Sequence, residues 1–216
     1  MTITHTHEEA FKTLAPRAEF YGGVECIGSA DDWGRTAYSF RNLRAKGMDK
    51  RILIRLFAYS PKIPTDIRRN FACLCASRVL PLYRLEAPDD DLPEHLLRMG
   101  WQLARGLDPK HKELARARRA SARALIHKRV TQMSAFAALG ALHSILAEAS
   151  YIAASGAAHY AQDARYYAAL KNKKGESAAQ TFIERERDQQ ITDIIALTEK
   201  RPVVVIRKAR TMEVMP

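Results

Sequence analysis

The sequence predicts an all-α protein, a single bundle-like or solenoid-like domain of six to seven packed helices. Three observations carry this. The hydrophobic share is 47% but the aromatic share only 8%, so alanine and leucine, which favour helix, supply most of the apolar residues. Apolar residues recur at steps of three and four through most of residues 49–200. Aspartate, proline and glycine punctuate that stretch at helix-length intervals. A chain of 216 residues can bury a sizeable core without disulfides or metals to staple it. The expected organisation is an irregular N-terminal extension over 1–48, a helical domain over 49–200 and a short tail over 201–216.

Residues 1–48 carry scattered Gly, Asp and aromatic residues without sustained helical periodicity, so loops are expected, with one extended piece at 24–27. Over 49–60, Ile52, Leu53, Leu56 and Phe57 share a face, with Asp49 as cap and Pro61 as stop. A second stripe begins at Pro64 and runs through Ile67, Phe71, Leu74, Cys75, Val79 and Leu80, and Pro81 should kink or end it. Next, Asp91 is placed to accept from free amides, with Glu94 completing a box-like cap and Pro93 in the first turn, where a missing N–H costs nothing. This helix should stop near Gly106, and Asp108-Pro109 should start another.

Residues 110–130 hold Leu114, Ala117, Ser121, Ala124 and Leu125 on one face. The alanine-rich tract up to about residue 170 is too long for one ordinary helix and should divide near Ser150 or at Ser155-Gly156. Gly175 closes a basic stop, after which Phe182, Ile183, Ile191, Ile194, Ile195 and Leu197 mark a last helix. The β-branched tail from Pro202 could pair with the extended piece near Val24 or stay loose.

Composition also bounds function. Cys26, Cys73 and Cys75 are few and odd in number, which points to reduced thiols and a cytoplasmic setting, and the first residues lack the pattern of an export signal. Residues 133–158 have the length of a membrane span, but alanine dominates them and His143 and Glu148 interrupt them, which argues against one. Lys plus Arg number 35 against 24 Asp plus Glu, a formal charge of +11, which raises the question of an anionic partner. More than half of that excess lies in 101–130, where nine Lys or Arg face only Asp108 and Glu113.

Within that window Lys112, Arg116, Arg119 and Arg123 fall at steps of four, three and four, a stripe on one helix face. Together with Arg105, Lys128 and Arg129 they could follow a DNA or RNA phosphate backbone, or simply form a solvated face. No base-stacking aromatics or zinc-finger spacing accompany them, so sequence-specific readout is not expected.

Other candidate sites are sparse. His159 and Asp163 lie four apart on one helix face, too few and too mixed for a metal site. His143 is best placed as a neutral imidazole bonded between helices, and an enzyme reading would require His143, His159 and Asp163 to converge. Cys73 and Cys75, two apart, point away from each other on a helix and suit a core. His5 and His7 with Glu8 and Glu9 sit on an N-terminus expected to lack fixed geometry for an ion. The chain has no phosphate-binding glycine loop, dinucleotide fingerprint, nucleophile elbow or zinc-peptidase helix, so neither enzymatic chemistry nor a cofactor is expected.

Two stretches, Cys75-Ala76-Ser77-Arg78-Val79-Leu80-Pro81-Leu82 and Pro88-Asp89-Asp90-Asp91-Leu92-Pro93, are followed by Trp101 and Ala104-Arg105-Gly106. In order and spacing they resemble the opening helices of a family of helical putative immunity proteins from bacterial polymorphic toxin systems. The alanine-rich helices with His143, His159 and Tyr166-Tyr167 look like that family's later helices, so the resemblance covers 66–167. It implies an all-helical, non-catalytic protein that binds and blocks a protein toxin. The basic charge implies an acidic face on that toxin, or one that acts at membranes.

Overall fold

The computed structural model describes residues 2–14, 38–107, 109–127, 130–172 and 175–199. A minimal antiparallel pair, β1 (Thr4–His5) and β2 (Tyr38–Ser39), sits beside helices α1 (His7–Leu14) and α2 (Phe40–Ala45). Seven further helices follow: α3 (Lys50–Tyr59), α4 (Thr65–Arg84), α5 (Leu92–Ala104), α6 (His111–Ile126), α7 (Met133–Ser144), α8 (Ser150–Lys171) and α9 (Gly175–Thr198). The chain is all-α, and the number of helices beyond residue 49 is the one expected.

The core is organised around α8, which packs on α7, α4, α9 and α3. Small residues set how closely these helices approach. A Cβ at Gly140 of α7 would lie 2.8 Å from the Tyr160 ring of α8, and one at Gly156 of α8 would lie 2.7 Å from Ser144 Oγ. Larger side chains fill the other side, where Phe40, Phe57 and Phe71 stack in series with centroid spacings of 6.0 and 4.9 Å.

Local signals explain most boundaries. Asp49 caps α3, its Oδ1 accepting from the Arg51 amide at 2.8 Å. The alanine-rich tract divides just before Ser150, where Arg69 of α4 donates to the Ala147 and Glu148 carbonyls at 3.2 and 2.8 Å. Gly156, the other candidate break, lies inside α8.

Four expectations are corrected. Residues 1–48 are not wholly irregular, because α1 and α2 bury Ala10, Leu14, Phe40 and Leu43 in the core. His5 is not on a loose end: it is buried, with Nε2 2.6 Å from Ser60 Oγ and its ring edge-on to Phe40. Pro81, expected to kink or end α4, does not end it: the helix runs on to Arg84. It stands within a turn of the C-terminus with its ring exposed, where the lost N–H removes one helix bond and Leu85 still bonds the Pro81 carbonyl.

The cap of α5 is the fourth. Asp91 occupies the cap position without a side-chain bond, and Asp90 does the work instead. Asp90 accepts from the Leu92 amide at 3.0 Å and from the buried Tyr83 hydroxyl at 2.5 Å, while Glu94 is drawn away to Arg84 at 2.5 Å. Pairing with Tyr83 and Arg84 of α4 outweighs the local box because it joins two helices. The residues expected to form a strand near Val24 and the tail after Pro202 lie outside the described residues.

Candidate binding surface on helix α6

Helix α6 lies at the edge of the bundle, on α7 and α5. Its inner face is small and apolar: Ala117, Ser121 and Ala124 are buried, and Leu114 and Leu125 are partly so. Two polar contacts fix its rotation. Ser121 Oγ meets His143 Nδ1 of α7 at 2.8 Å, and Arg118 Nε donates to the Leu146 carbonyl at 2.7 Å. Burial, and then the charge of Arg118, hold the His143 imidazole below its ordinary pKa, which favours the neutral ring as a bridge between helices.

With that face turned inward, Lys112, Arg116, Arg119 and Arg123 all point outward and are exposed. From Lys112 to Arg123 the ridge spans about 16 Å at 1.5 Å per residue. Ahead of it, Arg105 and Lys110 are exposed on the connection from α5. Lys128 and Arg129 lie outside the described residues.

The ridge differs from the rest of the basic surface. Elsewhere among the described residues, every Lys and Arg has a hydrogen-bond, ion-pair, ring or electrostatic partner. Arg41 grips Glu199, Arg44 and Lys50 meet Asp188, Lys62 meets Glu9, and Arg84 meets Glu94. Arg68, Arg69 and Arg118 hold carbonyls, and Lys46 and Arg185 lie over aromatic rings. Among the described residues, Arg105, Lys110, Lys112, Arg116, Arg119 and Arg123 have no such partner, and they are consecutive basic positions but for the inward-turned Arg118.

Two exposed apolar residues flank the cations. Ile126 is 74% exposed and continues the ridge at the next step of three, so the spacing that revealed the cations would also have revealed it. At the other end Leu107 is 55% exposed. The basic ridge therefore ends in apolar side chains.

His143 and His159 are not brought together. His143 faces α6, whereas His159 is an exposed residue of α8, 3.5 Å from Asp163, on a cleft bounded by α3 and α9. Cys73 and Cys75 are buried, free thiols. Burial pushes Cys73 up to about 12 and Cys75 higher still, so both are held as unreactive thiols. Among the described residues no helix is long and apolar enough to cross a membrane. The chain matches no family model, no curated protein and no solved structure.

Proposed function

We propose that this is a non-enzymatic, cytoplasmic binding protein that neutralises a protein toxin, with the α6 ridge as its docking surface. The observation that carries the reading is that, among the described residues, the unpartnered cations are confined to residues 105–123, on α6 and the connection that leads into it. Exposed charges held in place without intramolecular partners keep their full field for a complementary surface, which speeds encounter and fixes register. The resemblance of residues 66–167 to immunity proteins supplies the class of partner, and the charge requires that its contact face be acidic.

The apolar ends favour a protein over a polynucleotide. Protein interfaces combine a desolvated apolar contact with a charged rim, and Ile126 and Leu107 would supply the former at either end of the ridge. The second reading, an accessory protein that follows a DNA or RNA backbone, draws on the same cations with Lys128 and Arg129 added, and treats the apolar ends as incidental.

Capture from the native host, with half of the sample treated with nuclease, separates the two. The toxin-binding reading expects one protein partner retained at fixed stoichiometry after treatment. Retention of nucleic acid alone, released by high salt, would overturn it in favour of the backbone reading.

A further inference from the structure

The outward face of α6 has a repeat as well as a charge. Lys112, Arg116, Arg119 and Arg123 are followed three residues on by Ile126, so exposed side chains recur at steps of four, three, four and three. That averages about 3.5 residues, the repeat at which one helix keeps a single seam against another along its length. The seam runs for about 21 Å, nearly four turns.

What lies beside the seam is small. Ala115 and Ala122 flank it on one side and Ala120 on the other, all half-exposed. Between Lys112 and Arg123, among the described residues, no bulky side chain of α6 stands next to the cations, so a second helix can come close to the backbone while the long Lys and Arg side chains fold over it. Glu113, the acidic residue described on this helix, sits about 100° round from Lys112, off the seam.

The chemistry of the seam selects its occupant. Four cations in line, none with a partner among the described residues, call for four carboxylates in line. On an α-helix, residues at the same steps of four and three meet that demand. On a strand, carboxylates of one face stand about 6.8 Å apart, against about 5.5 Å between successive cations, and are out of step by about 4 Å at the fourth. A phosphate backbone would meet the cations but has nothing to cover Ile126, which is 74% exposed at the end of the same line.

We propose, resting on the toxin-binding reading, that the α6 seam receives an acidic α-helix of the partner. Its carboxylates lie over Lys112, Arg116, Arg119 and Arg123, and an apolar residue lies over Ile126.

Two hydrocarbon-stapled peptides of identical composition test this by fluorescence anisotropy with the full-length protein. One carries four Glu at steps of four, three and four with a Leu three residues on, and the other has the same residues spread round the helix. A DNA duplex of similar length is the third ligand. The striped peptide should bind at least about tenfold more tightly than the spread one, from about twofold for each of four exposed ion pairs. Arg119→Glu should remove most of that advantage and Ile126→Ser should reduce it about threefold, each with unchanged helical circular dichroism. No advantage for the striped peptide would overturn the helix seam and leave the toxin-binding reading standing. Binding of the duplex with neither peptide held would overturn both.

Discussion

Replacing Glu186 by alanine would test how the bundle tolerates charge in its interior. Glu186 of α9 is 4% exposed, and its Oε1 accepts from Arg78 Nη2 at 2.7 Å, Arg78 Nε at 3.0 Å and Gln190 Nε2 at 3.1 Å. Arg78 of α4 also pairs with Asp193, and Arg165 of α8 stands 3.7 Å from the other Glu186 oxygen, so four buried or half-buried charges tie three helices together. Burial works against the Arg78 charge, but the carboxylates around it outweigh that and raise its pKa, whereas burial raises Asp193 despite Arg78.

Glu186→Ala leaves Arg78 with one carboxylate and Arg165 with none in this network. Removing one partner from a largely buried charge cluster costs up to about 3–5 kcal/mol, the upper end applying to a charge left with no partner. For a protein of this size that lowers the melting temperature by about 10 °C. Arg78→Met should cost more, because it leaves Glu186 and Asp193 facing each other with only Arg165 nearby. Urea unfolding followed by helical circular dichroism gives both values. A loss below about 1 kcal/mol for Glu186→Ala, or the reverse order of the two variants, would refute the argument, since it would place these charges in water.

Other expectations concern packing, pH and the surface. Gly140→Ala puts a methyl against the Tyr160 ring, and overpacking of about 1–3 kcal/mol should exceed the helix-propensity gain of about 1 kcal/mol. Adding Tyr160→Ala should recover part of that loss in thermal melts, and an unrelieved loss would argue against the contact. Burial first, then the charge of Lys62, with Glu9 opposing, holds His5 at about 4 in the folded protein, whereas the unfolded chain binds its proton near 6.5. The unfolded state therefore binds more protons between these values. The contribution of His5 is intact above about pH 6.5 and is lost as pH falls toward 4, by about 3 kcal/mol. His5→Gln should flatten that part of the stability profile in urea titrations, and an unchanged slope would assign it to other groups. Reversing Lys112, Arg116, Arg119 and Arg123 to Glu together should change stability little, since none has a partner to lose among the described residues.

The fold was legible where local chemistry coincides with burial. Asp49, the periodicity of α3 and the small inner face of α6 all act within one helix, and sequence spacing reports them directly. Misses arose where a distant partner decides. Asp90 caps α5 in place of Asp91 because Tyr83 holds it, and His5 is buried because Ser60 and Phe40 receive it. Helix α1 carries a local signal as well: Thr6 and Glu9 form a reciprocal capping box, with Glu9 Oε2 2.8 Å from the Thr6 amide and Thr6 Oγ1 3.3 Å from the Glu9 amide. The basic stripe was visible from composition, but which cations find partners depends on contacts such as that between Arg41 and Glu199, far apart in the chain.

The most direct test of the toxin-binding reading is capture of nuclease-treated partners from the native host by the wild-type protein and by the fourfold Lys112, Arg116, Arg119 and Arg123 to Glu variant, side by side. A single protein retained at fixed ratio by the wild type and lost by the variant, with the variant's helical circular dichroism intact, is the expected result. Retention of the same protein by the variant would contradict α6 as the docking surface, and capture of nucleic acid alone would contradict the toxin-binding reading itself.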